Sequence, residues 1–173
     1  MKLVKKYNNL QLIIDEELLN EIANIGVHHH PNEFGGFLIG KYSNDFKTLY
    51  IEDYILPNKY KGFPFIFERS IDGIIDIFKK LFKQKKQYYI GEWHTHPDGS
   101  TMYSQTDLNA MVQTVECETV QIKNPILLIL SVSKQKLNMS FVFEVNSKLK
   151  DSNVKLEYAL QRMLTYKHLI SFI

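Results

Sequence analysis

Two histidines separated by a single residue, His94 and His96 in the run GEWHTHP, are the side chains of this chain best spaced to share a metal ion. Successive side chains of a strand point to opposite faces, so on an extended backbone both imidazoles lie on one face and can converge. A polar strand face shows the same spacing with no metal, so further donors are needed. They follow after seven intervening residues as Ser104 and, three positions on, Asp107. Ser104 suits a helix N-cap, and Asp107 suits the acidic partner of a capping box, where the helix dipole also favours it. Such a cap would hold the carboxylate facing the loop that the histidine strand has just left, so capping and ligation are compatible. Two imidazoles and one carboxylate leave one position open to water, the mark of a catalytic zinc site. The same donors form the facial triad of non-haem iron oxygenases, so donor types alone leave zinc and iron both open.

A hydrolytic metal site also needs a proton carrier. Glu92 shares the strand face of the histidines, about 7 Å from His94. Glu33 is the alternative, because the Gly35-Gly36 pair after it lets the backbone approach a site closely. The run His28 to His30 reads as the solvated end of a helix, favoured by the dipole. Trp93 faces away from the histidines and reads as core, and Cys117 as a small helix residue that is buried or half-buried.

The elements that position these residues follow from apolar periodicity. Leu10, Leu12 and Ile14 alternate as a strand; Asp15 then caps a helix carrying Leu18, Leu19, Ile22 and Ile25 and ending near His28 to Pro31. The runs FLIG and TLYIEDYIL read as strands, and NKYKGFPF, with its lysines, glycine and proline, as a surface loop. Ile71, Ile74, Ile75, Phe78, Leu81 and Phe82 have helical spacing. QYYIGEWHTH is strand-like, PDGSTMY is a loop, and Leu108, Met111, Val112 and Val115 mark the helix that Asp107 begins. PILLILSVS and KLNMSFVFEV form a strand pair, the first so uniformly apolar that it belongs inside its sheet. Val154 to Leu169 reads as a helix. The class is α+β or α/β, a mixed sheet flanked by helices in a single domain spanning 1–173.

Composition excludes several classes. With 21 basic and 19 acidic residues the net charge is +2, too balanced to gather nucleic acid or an anionic membrane. KKLFKQKK, from Lys79 to Lys86, reads as the solvated end of an amphipathic helix. A single cysteine excludes a disulfide framework and a thiolate-built zinc site, which favours the cytoplasm, and neither a signal peptide nor a membrane span is expected.

The pattern of a glutamate, then H-T-H, seven residues and S-x-x-D resembles the full JAMM signature of the JAB/MPN metallopeptidase family, with each position filled. The resemblance runs from Glu33 to Val115. It implies the JAB/MPN (cytidine-deaminase-like) fold and one zinc ion per chain on His94, His96 and Asp107. It further implies general acid/base duty for Glu33 and a structural and catalytic role for Ser104. Iron oxygenases usually carry the carboxylate two residues after the first histidine, an arrangement this chain lacks. The GEWHTHP-type strand is similar to that of the prokaryotic branch encoded in CBASS antiphage operons. That branch implies an isopeptidase acting on the C-terminal tail of a conjugated cGAS-like nucleotidyltransferase or ubiquitin-like protein, with an E1/E2-like enzyme as partner. Related peptidases serve sulfur-carrier proteins, and members that have lost the ligands act as interaction modules; all five positions are retained here. An extended tail is expected beside the metal, walled by the loop from Asn58 to Pro64.

Overall fold

The computed structural model describes residues 1–142, except 8, 118, 119, 121, 123 and 135, and the backbone of 164–168. Ten strands and three helices are assigned among these residues: β1 (Lys2–Tyr7), β2 (Leu10–Asp15), α1 (Glu16–His29), β3 (Gly35–Tyr42), β4 (Thr48–Ile55), β5 (Tyr60–Phe63), β6 (Ile66–Arg69), α2 (Ile74–Lys85), β7 (Tyr88–Pro97), α3 (Gln105–Glu116), β8 (Ile126–Val132), β9 (Leu137–Val142) and β10 (Leu164–His168). Eight strands form one sheet in the order β1-β2-β4-β3-β7-β8-β9-β10, with β2·β4 and β7·β8 parallel and the other pairs antiparallel. The architecture is therefore mixed α+β.

Alternation sorts the side chains of the sheet between two cores. Leu12, Ile14, Leu38, Leu49, Trp93, Leu128 and Leu130 pack with Leu19, Ile22 and Ala23 of α1 on one face. Leu127, Ile129 and Val142 pack with Leu108 and Met111 of α3 on the other. Because β8 lies between these layers, all seven of its residues are buried, which is why ILLILSV has no polar alternation. Each aliphatic side chain so buried stabilises the fold by about 1.5–3 kcal/mol. The histidines of β7 share their face with α3 and with α2, whose Phe78 meets Phe37 and Tyr89 at ring separations of 5.8 and 5.6 Å.

Three elements depart from the sequence reading. The segment expected as a loop around NKYKGFPF contains the β5–β6 hairpin, turning at Pro64 and Phe65 with Phe63 opposite Ile66. Its strands have four residues each, too few for a period-2 signal, and Gly62 sits in one because a Cβ there would lie 2.4 Å from the Glu33 carbonyl oxygen. Strand β1 was hidden by its lysines, which suit an outer strand whose unpaired edge faces water. The helix expected over Val154 to Leu169 is contradicted at Leu164–His168, a strand on β9 in which Leu164 pairs Phe141; the β-branched and aromatic Thr165-Tyr166 favour a strand where a backbone edge is available. The rest of that segment lies outside the described residues.

Candidate metal centre

Strand β7 carries both histidines out of the sheet on the α3 side. Their Nε2 atoms stand 2.9 Å apart. The His96 Nδ1–H donates to the Ser100 carbonyl at 2.9 Å, which leaves the Nε2 lone pair directed at its neighbour. Asp107 closes the triangle, with Oδ1 3.4 Å from His94 Nε2 and Oδ2 3.7 Å from His96 Nε2. Ligand atoms of all three side chains lie within 4.8 Å of one another. A tetrahedral site with bonds of about 2.0–2.2 Å has edges of about 3.3–3.6 Å, so this donor set fits zinc with small adjustments.

Asp107 is held where the sequence put it. Ser104 caps α3: its Oγ accepts from the Asp107 N–H at 3.1 Å, and the Ser104 N–H donates to Asp107 Oδ2 at 2.6 Å. The reciprocal bonds orient the carboxylate and keep Oδ1 towards His94. Burial holds the His94 imidazole well below its ordinary pKa against the opposing pull of Asp107, and the neutral ring is the form that binds metal.

Glu33 reaches the same cavity from the far side of β7. Gly35 pairs with His94 in the antiparallel β3–β7 ladder. Just before it, the Phe34 N–H donates to Thr95 Oγ1 at 2.9 Å and the Thr95 N–H donates to the Phe34 carbonyl at 2.8 Å. Those bonds fix the backbone on which Glu33 stands. Burial, then the charge of Asp107, pushes its carboxyl up to about 7. The rival Glu92 is differently engaged, in an ion pair with Arg69 of β6.

A cavity of about 570 Å³ collects these groups, with Glu33, Glu92, His94, His96, Ser104 and Asp107 all in its lining. Its other wall differs from the expected one: Phe65, Ile66, Phe67 and Arg69 face it, where the sequence suggested the stretch from Asn58 to Pro64. The shift follows from the hairpin, which sets β5 against the backbone of Glu33 and brings β6, through Arg69 and Glu92, to β7. His28 and His29 lie outside the cluster, each bonding through Nδ1 to the carbonyl four residues earlier, and His30 Nε2 bonds Asp98 at 3.0 Å. Trp93 is fully buried on the opposite face and Cys117 is half-buried at the end of α3.

Several supporting residues escaped sequence reasoning. Ser131 and Ser140 donate to the carbonyls of Gly99 and Thr101, at 2.6 and 2.7 Å, and so tie down the loop between His96 and Ser104. The available signal was a pair of serines in largely apolar strands, a place where a hydroxyl needs a partner. Thr95 gave a similar signal, a hydroxyl on the inward face between the two histidines.

Residues 15–144 match the family described as prokaryotic homologs of the JAB domain, and the chain belongs to that family. Over 116 residues, 66% of the chain, it is 33% identical to the CD-NTase/cGAS isopeptidase of Enterobacter hormaechei subsp. hoffmannii (strain UCI 50). The aligned segment spans 62% of that relative's length. The solution structure of protein DSY2949 from Desulfitobacterium hafniense is similar in fold, with a TM-score of 0.56 at 18% identity over 75% of this chain and 82% of that one.

The tightest packing at the site generates a test. A Cβ on Gly35 would lie 2.2 Å from the Trp93 carbonyl oxygen and 2.8 Å from His94 Cβ, so Gly35→Ala must push β3 off β7 where His94 sits. The expected result is a stability loss of about 1–3 kcal/mol by urea unfolding and zinc affinity weakened about tenfold or more by chelator competition. Parent-like values for both would show that the β3–β7 contact does not set the histidine geometry.

Proposed function

We propose that this chain is a zinc-dependent isopeptidase that hydrolyses the amide joining the C-terminus of a conjugated protein to its target. The conjugated protein best supported is a cGAS-like nucleotidyltransferase, with an E1/E2-like enzyme as the partner that makes the conjugate. The observation that carries the chemistry is the convergence of two imidazoles and one carboxylate within 4.8 Å, in one cavity with a carboxyl bound to none of them. The relative's name supports the substrate class.

His94, His96 and Asp107 would hold the ion. Zinc, when bound, supplies Lewis acidity and makes a water nucleophilic at neutral pH. Glu33 takes a proton from the attacking water as the carbon–oxygen bond forms at the substrate carbonyl. When the carbon–nitrogen bond breaks, the same carboxyl returns the proton to the departing amine. The Ser104 Oγ already accepts from the Asp107 N–H, and its own proton is then available to donate to the carbonyl oxygen as that oxygen gains charge. An extended tail suits the cavity because Phe65, Ile66, Phe67 and Arg69 line it and β6 is paired on one edge, with β5, which leaves its other edge for strand addition.

Release of the nucleotidyltransferase from a lysine-linked conjugate, with aminocoumarin peptide amides as small probes, tests this reading. Glu33→Gln preserves side-chain size but not proton transfer, so it is expected to retain zinc and lose activity by about a hundredfold or more, while Glu92→Gln loses far less in kcat. The reversed order would move the proton carrier to Glu92. Zinc-loaded parent protein that cleaves no conjugate would favour an interaction module.

Ser104→Ala separates its two roles. Loss of the cap costs about 1 kcal/mol of stability, whereas loss of an oxyanion donor costs about 2.7–4 kcal/mol of transition-state stabilisation. A folded, zinc-binding variant slowed on the order of a hundredfold is the expected outcome. Lower melting temperature with a parent-like rate would confine Ser104 to capping.

A further inference from the structure

The hairpin that walls the cavity has little of its own to hold it there. Tyr60, Phe63, Phe65 and Ile66 are exposed, and β5 and β6 pair with each other as a separate two-stranded sheet. An isolated two-stranded hairpin is marginal in water, so contacts with the rest of the chain must fix it over the site. At the base of the hairpin Arg69 forms its ion pair with Glu92, two residues before His94. The guanidinium also lies over the rings of Phe37 and Phe67, 5.2 and 5.6 Å from their centroids. The charged side chains are 20% and 24% exposed, so solvent screens this pair less than a surface one. Near the turn, the Glu33 N–H donates to the Phe63 carbonyl at 2.9 Å, and Phe34 packs against Phe67 and Tyr60.

We infer that Arg69 is a positioning residue, which through Glu92 anchors β6 beside the histidine strand as a preformed edge for the substrate's extended tail. What the edge receives rests on the isopeptidase reading; the anchor itself does not. The two glutamates of the cavity thereby divide their duties, Glu33 facing the reacting bond and Glu92 holding the wall. Arginine is required because a planar guanidinium can fork onto a carboxylate while stacked on aromatic rings, and an ammonium does neither as well.

Amide hydrogen exchange and steady-state kinetics on the zinc-loaded full chain test the inference, using an aminocoumarin peptide amide that the parent cleaves. Arg69→Met keeps the stem over Phe37 and Phe67 and removes the charge; Glu92→Gln removes it from the other side with no change of size. In each, exchange over residues 60–69 should rise about tenfold or more while α1 and β8 stay as in the parent. KM should rise about tenfold with kcat within about threefold, and Arg69→Lys should recover part of the loss. If Arg69→Met does not fold, Glu92→Gln decides alone. Unchanged exchange and KM would overturn the inference, and faster exchange with unchanged KM would reduce Arg69 to a structural anchor. Absence of cleavage by the parent would instead sink the isopeptidase reading, and exchange over 60–69 would still decide whether the ion pair holds the hairpin.

Discussion

The pairing of β3 with β7 is the contact on which the site depends. Gly35 opposite His94, with Phe34 and Thr95 exchanging bonds from backbone and hydroxyl, brings the start of one strand against the end of another. On one side of that junction stand two imidazoles that strand geometry alone aims at one point. On the other stands Glu33, which strand geometry alone could not place. The absence of a Cβ at Gly35 lets the two backbones come this close, so the approach of Glu33 to His94 and His96 is set by a missing atom.

Around that junction, each remaining group is delivered by a different local device. Asp107 arrives through the reciprocal bonds of a helix cap, which do for a carboxylate what a second coordination sphere does for a ligating histidine. The intervening loop is tied by serine hydroxyls from β8 and β9, so the spacing between His96 and Ser104 is converted into a fixed separation. His94 is nearly enclosed, at 9% exposure, and its neutral ring costs less to bury than a charged one. Preorganisation here is the sum of short hydrogen bonds, several of them between residues distant in sequence.

What could be read in the sequence was whatever repeats locally. The H-x-H spacing implies a shared strand face, S-x-x-D implies a cap, and the unbroken apolar run of β8 implies a strand covered on both sides; the structure has all three. Glu33 had no such local geometry, since its place depends on which strands become neighbours, and a family resemblance was needed to choose it over Glu92. The hairpin was illegible for two reasons: its strands are short, and the ion pair that holds it joins Arg69 to a residue more than twenty positions away. Strand β10 depended on the edge that β9 presents, a feature visible only once the sheet is assembled.

The central claim is that His94, His96 and Asp107 form one zinc site. X-ray absorption at the zinc edge, on protein loaded with zinc and dialysed, reads the ligands directly. The expected spectrum has one zinc per chain, two imidazole nitrogens at about 2.0–2.1 Å and oxygen neighbours at about 2.0–2.2 Å, with one imidazole lost in His94→Ala. A sulfur shell at about 2.3 Å, an unchanged spectrum in His94→Ala, or no retained zinc would contradict it.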